Sequence, residues 1–267
     1  MKKLLLLCAV LGAFPLTVSA KFAAKSVAYE HDGVKLEGYL AYDEELVSTK
    51  KPAPGVLVIP EWWGLTDYPK TRAHQLASLG YVAFVADMYG AGVTTSDPKK
   101  AAELAGPFYG SPLMAARANA GLAQMLKSGL VDPARTAAIG YCFGGSTVQA
   151  LAFSGAPLLG VVSFHGGIVP VPAEAAKNVK AKILMCHGAM DPFIKKEEID
   201  AFTKALDAAK LDYQFISYSG AVHAFTNSDA DRIAAATGLP IAYNAAADAR
   251  SWAHLQAFFT EIFAVKK

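Results

Sequence analysis

Cysteine is scarce in this chain: three residues in 267, at positions 8, 142 and 186. That is too few for a disulfide scaffold, so each cysteine needs its own explanation. A surplus of one charge is also missing. Lys and Arg number 25 against 23 Asp and Glu, and the excess of two is Lys2 and Lys3, because residues 1–20 hold no acid. From residue 21 onward the charges balance. No basic face is left to displace counterions from phosphates, which excludes nucleic acid as the expected partner. Long apolar runs are absent beyond the first twenty residues, where none reaches the roughly 18 residues of a membrane-spanning helix. Disorder is excluded by the 53% apolar content.

What the first twenty residues hold is an address. Lys2 and Lys3 precede an apolar stretch from Leu4 to Val18, and Val18-Ser19-Ala20 supplies small residues for cleavage before Lys21. The pattern predicts a secretory signal peptide over residues 1–20 and an exported protein, periplasmic or secreted. Cleavage removes Cys8 and leaves no membrane span. Residues 21–267 are then expected to form one domain.

Within that domain the residues alternate between two periodicities. Ser26 to Glu30 and Val34 to Tyr42 read as a strand pair turning at Asp32-Gly33. Six short apolar runs follow, at 55–60, 81–88, 136–141, 158–164, 182–186 and 213–218, of a length suited to strands buried on both faces. Helical patterns separate them. Asp97-Pro98 and Ser111-Pro112 are start signals, Gly80 is a stop, and Lys195 to Lys210 and Asn244 to Phe263 are the clearest amphipathic stretches. Alternation of this kind predicts an α/β fold, a mostly parallel sheet covered on both faces and preceded by an antiparallel strand pair.

In such sheets ligands bind beyond the carboxyl ends of the strands. After the third parallel run stands Gly140-Tyr141-Cys142-Phe143-Gly144-Gly145, a G-x-C-x-G turn between strand and helix. The pattern holds a side chain exposed on a tight turn at a helix N-terminus, where a thiolate and an oxyanion are both stabilised. A packed cysteine with glycines serving close helix contact is the competing reading. A nucleophile needs a base and a group that orients it. Asp191 follows the run 182–186, and His223 follows the run 213–218. Taken singly, Asp191 reads equally as a turn or cap residue and His223 as a satisfied core histidine. Together Cys142, Asp191 and His223 stand in the nucleophile, acid, histidine order of the nucleophile-elbow hydrolases. Glu61, in Pro60-Glu61-Trp62-Trp63-Gly64, lies at a strand end among aromatic neighbours, where desolvation raises its proton affinity. The backbone N–H groups of Phe143 and Trp62 are the expected oxyanion donors.

These segments, with Asp87-Met88-Tyr89, His187-Gly188-Ala189-Met190-Asp191-Pro192 and His223-Ala224-Phe225, resemble the dienelactone hydrolase family. The resemblance implies an α/β-hydrolase fold and cofactor-free cleavage of a carboxylic ester or lactone. It also implies that Cys142 is the nucleophile, His223 the base then acid, Asp191 its orienter, and Glu61 a carboxylate contacting the thiol, which stays less reactive until substrate binds. The two arginines that hold the substrate carboxylate in dienelactone-cleaving members are replaced by Ala91 and Asn227. A neutral ester or lactone is therefore the expected substrate, in a pocket to which Trp63, Tyr89, Tyr141 and Phe225 contribute alongside Trp62. No metal is expected, since adjacent Cys186 and His187 point to opposite faces of a strand. Cys186 is expected to pack within its strand, and Tyr109 and Lys99-Lys100 to be solvated surface. Rival functions on the same fold are a non-catalytic binding or redox-responsive protein with an oxidisable Cys142, and a thioesterase or peptidase.

Overall fold

The computed structural model describes residues 21–264; the signal peptide expected at 1–20 lies outside them. β1 (Phe22–His31) and β2 (Val34–Asp43) form the antiparallel pair, with Phe22 opposite Asp43. Their turn holds two consecutive residues at positive φ, Asp32 at 50° and Gly33 at 74°. This twist matches that of the flanking strands and favours Asp-Gly. The six apolar runs become β3 (Ala53–Ile59), β4 (Val82–Val85), β5 (Val131–Tyr141), β6 (Gly160–Phe164), β7 (Lys182–Gly188) and β8 (Tyr213–Tyr218), mutually parallel. One sheet contains all eight, in the order β1-β2-β4-β3-β5-β6-β7-β8, with β2 antiparallel to β4.

Helices on both faces explain why the middle strands are apolar throughout. On one face α2 (Pro98–Ala105), α3 (Leu113–Lys127), α4 (Phe143–Phe153) and α6 (Lys196–Ala208) cover a cluster containing Leu57, Phe84, Leu122, Leu151 and Leu206. On the other, α1 (Asp67–Ser78) and α8 (Ala245–Ile262) cover Val58, Leu76, Leu184, Leu255 and Phe259. Truncating any of these fully buried side chains to alanine costs about 2–5 kcal/mol. Two short helices, α5 (Ala175–Asn178) and α7 (Ala230–Thr237), belong to the connections. The start signals act as read: Asp97 accepts from the Lys99 N–H at 2.9 Å, and Ser111 from that of Leu113 at 3.2 Å.

The strand order has a functional consequence. From β3 the chain steps to β4 on one side, then returns to place β5 on the other. Crossovers leaving in opposite directions open a crevice at the carboxyl ends of β3 and β5. Glu61 and Trp62 follow β3, and Cys142 follows β5.

Candidate active site

Cys142 sits between the last residue of β5 and the first of α4, with φ +53° and ψ −115°. Such a conformation costs a non-glycine residue about 1–3 kcal/mol and persists only where its surroundings impose it. They do so through two glycines. A Cβ on Gly140 would stand 2.0 Å from the Gly144 carbonyl oxygen, and one on Gly144 would stand 2.2 Å from that of Ile59. α4 therefore starts directly against the end of β3. Phe143 opens that helix, so its N–H has no carbonyl one turn back to donate to.

Asp191 and His223 meet in the loops beyond β7 and β8. Their Nδ1 to Oδ2 distance is 2.8 Å, and the Asp191 side chain is wholly buried. The other carboxylate oxygen, Oδ1, accepts from the Phe193 N–H at 2.9 Å, which fixes its orientation. Burial by itself pushes the His223 imidazole down; the charge of the Cys142 sulfur and the bond to Asp191 outweigh it and hold the ring up at about 10. The ring is boxed in by Phe193 at 5.0 Å and His165 at 5.3 Å, both edge-to-face.

Glu61 is 4% exposed. Burial lifts its carboxyl to about 7, while a hydrogen bond from Asn227 and the charge of His223 pull the other way. The Asn227 Nδ2 donates to Glu61 Oε2 at 2.7 Å, and Asn227 Oδ1 accepts from the Asp229 N–H at 3.0 Å, so both ends of the amide are in use. Glu61 and Cys142 line the same cavity, yet the hydrogen bond of this carboxylate goes to Asn227 rather than to the thiol that the resemblance implied.

The cavity over Cys142 measures about 260 Å³. Trp62, Trp63, Tyr109, Phe143, Phe193 and Ile241 give it apolar walls, and neither lysine nor arginine reaches it. Three aromatic residues expected in the pocket lie elsewhere. Tyr141, one residue before Cys142, projects to the opposite face of the sheet, where it is fully buried and stacked on Phe164 at 4.9 Å. Phe225 is likewise sealed in that second cluster. Tyr89 stands behind the wall and donates to the Trp62 carbonyl at 3.1 Å, steadying the segment expected to carry an oxyanion donor. Tyr109, expected on the surface, is 53% exposed but forms the mouth, edge-on to Phe143 at 5.7 Å. Its hydroxyl is pushed upward by burial and by the nearby Cys142 charge. Leu239 and Ile241 come from a loop that carries no motif, and Phe193 lies just past the Asp191-Pro192 motif, so only the fold reveals them.

His165 is the other residue that the sequence did not single out for the site. It is fully buried at φ +41°, and its Nδ1 accepts from the Cys142 N–H at 3.1 Å. Burial and the charge of His223 keep it well below the usual histidine range, hence neutral. Nε2 must then carry the proton and donate to Thr226 Oγ1 at 2.7 Å. Thr226 meets the Tyr68 hydroxyl at 2.6 Å, and Arg72 ties Tyr68, the Thr226 carbonyl and Asp248 together. Cys142 is thus braced from behind by a buried polar chain. Cys186 packs in β7 as a free thiol, 1% exposed, pushed up to about 12 by burial. Cys142 is also free. Among the described residues no group of three His, Cys, Asp or Glu side chains is placed to hold a metal ion, and no helix is long and apolar enough to cross a membrane.

Comparison with known proteins finds relatives in sequence and in fold. The profile of the "Dienelactone hydrolase family" matches residues 36–263. "Protein usf" of Aquifex pyrophilus is 28% identical over 75% of this chain and 86% of its own. A "Putative carboxymethylenebutenolidase" of Aquifex aeolicus (strain VF5) is 27% identical with the same coverage. Among solved structures, a dienelactone hydrolase-like promiscuous phosphotriesterase from metagenomic libraries superposes with a TM-score of 0.84 and 37% identity, over 91% of this chain and 99% of that one.

Proposed function

Since the chain belongs to the dienelactone hydrolase family and is an α/β-hydrolase, we propose that it cleaves neutral carboxylic esters or lactones through Cys142, His223 and Asp191. The observation that carries this reading is the Asp191–His223 contact of 2.8 Å, with His223 and a cysteine held at positive φ both lining one apolar cavity.

The Cys142 thiol passes its proton to His223 as the sulfur attacks the substrate carbonyl carbon, and the carbonyl electron pair moves to oxygen, held by the N–H groups of Phe143 and Trp62. Collapse of this intermediate breaks the carbon–oxygen bond. His223 gives its proton to the departing alcohol, leaving a thioester on Cys142. A water molecule then attacks the thioester with His223 as base, releasing the acid and restoring the thiol. Asp191 keeps the ring oriented and stabilises its cationic form. Glu61, buried beside the reacting groups, contributes a carboxyl whose protonation changes near neutral pH.

The absence of a guanidinium from the cavity supports a neutral substrate, because a buried carboxylate would find no partner there. The same uncharged walls suit neutral phosphotriesters, the class named for the solved neighbour. Export is part of the proposal and rests on the residues at 1–20; mass analysis of the protein in the periplasmic or extracellular fraction should find Lys21 as its first residue. Cys142→Ala should reduce hydrolysis of an uncharged aryl ester by about 10³-fold or more. Unchanged turnover would sink the Cys142 mechanism, whereas alkylation of Cys142 with no esterase activity across a broad ester panel would return the protein to the binding or redox-responsive reading.

A further inference from the structure

A second cavity of about 260 Å³ adjoins the first, and Glu61 and Trp63 line both. Its lining is more polar. Thr66, Tyr68, Thr95, Ser96, Asn227 and Thr237 line it, and of these Thr66 and Ser96 have hydroxyls that bond to no other described residue, whereas the Asn227 amide and the Tyr68 and Thr237 hydroxyls bond within the protein. Thr66 precedes α1 but makes no side-chain capping bond, and Ser96 is exposed at the rim. The charges nearby are matched: Arg232 pairs with Asp229 at 3.1 Å, and Asp67 with Lys70 at 3.2 Å. The cavity is therefore more polar than the first, and its surface charges are paired. Glu61 adds a further observation. Its Oε2 is taken by Asn227, whereas no donor among the described residues reaches Oε1, although the residue is 96% buried. An unpartnered acceptor thus stands where the two cavities meet.

We infer that the second cavity is the subsite for a hydroxyl-bearing alcohol, so that the preferred substrate joins an apolar acyl group to a glycerol-like or sugar-like alcohol. This inference rests on the ester-hydrolase reading above and narrows it to acyclic esters. An ester carries two arms that diverge from the carbonyl. The apolar arm gains by covering Trp62, Phe143 and Phe193. A hydroxylated arm placed there would lose its bonds to water and find no replacement. Across Glu61 the same hydroxyls meet Thr66, Ser96 and the free Glu61 oxygen. A lactone ties both arms into one ring and has nothing to send into the second cavity.

The test compares 1-glyceryl benzoate with propyl benzoate, which share the acid and the carbon count and differ by two hydroxyls. Hydroxide-catalysed hydrolysis of the two gives the ratio due to the leaving group alone. The enzyme should exceed that ratio in kcat/KM by about 10-fold or more, as expected for one or two added hydrogen bonds. Ser96→Ala and Thr66→Val should each lower the preference by about 3- to 10-fold. Ala236→Phe, which fills the cavity from the exposed side of α7, should abolish the preference. A wild-type ratio equal to the hydroxide ratio overturns the inference, as does a preference untouched by Ala236→Phe. If neither ester is turned over, the underlying hydrolase reading fails with it, and that outcome is distinguishable because the inference concerns only the ratio of the two rates.

Discussion

Replacing Glu61 by glutamine should stabilise the protein at alkaline pH while weakening the active site. In the unfolded chain this carboxyl loses its proton near 4.5; in the folded protein burial holds it until about 7. Between those values the folded state binds more protons than the unfolded state, so stability falls as pH rises through the window and levels off above it. At about 1.4 kcal/mol per pH unit, the ionised carboxylate costs the fold about 3 kcal/mol at pH 8 and less than about 1 kcal/mol at pH 5. Glutamine is isosteric, keeps an oxygen for the Asn227 donor and never ionises. For a chain of this size each kcal/mol moves Tm by about 2–4 °C. In thermal melts followed by circular dichroism, the advantage of Glu61→Gln over wild type should therefore be larger at pH 8 than at pH 5 by about 5–10 °C. The variant should also lose kcat/KM for esters, since Glu61 lines the reaction cavity. A stability difference that is the same at both pH values would refute the reasoning, whatever its sign.

Three further perturbations follow from the contacts described. Asp191→Asn takes the anion from the only side-chain partner of His223 Nδ1, and kcat for an aryl ester should fall by about 10³- to 10⁴-fold with the circular dichroism spectrum unchanged. Asn227→Arg restores a guanidinium near Glu61 and should raise kcat/KM for a carboxylate-bearing lactone relative to an uncharged one by about 10-fold, measured by competing the two substrates. His165→Leu leaves the Thr226 hydroxyl without its imidazole partner and takes one acceptor from the Cys142 N–H; urea unfolding should show a loss of about 1–3 kcal/mol.

The sheet and the reacting groups were legible in the sequence because both follow from local chemistry. Strands buried on two faces are apolar at nearly every position, and a sharp strand-to-helix turn needs glycines where a Cβ would strike backbone. The walls of the cavity were not legible. Tyr141 and Phe225 are as aromatic as Trp63, and only the faces they take in the fold decide which of them meets a substrate. Asn227 read as the loss of an arginine, whereas its bond to Glu61, across 166 positions, is a tertiary fact. No motif in the sequence marks His165 for the site. Its part in holding Cys142 follows from β6 lying beside β5, which brings position 165 under the turn at 142.

β8 is an edge strand, bonded only to β7, and most of its residues are partly exposed. Cys142 belongs instead to β5, flanked by β3 and β6 in the interior of the sheet. Edge elements open more readily than central ones. Amide exchange should accordingly be fast along Tyr213–Tyr218 and slow along Thr136–Tyr141. Each opening of that margin would carry His223 away from a sulfur that stays where it is. On mild heating, activity should then fade reversibly before the spectrum of the fold changes, because the thiol and its base reside in parts of the molecule that melt at different temperatures.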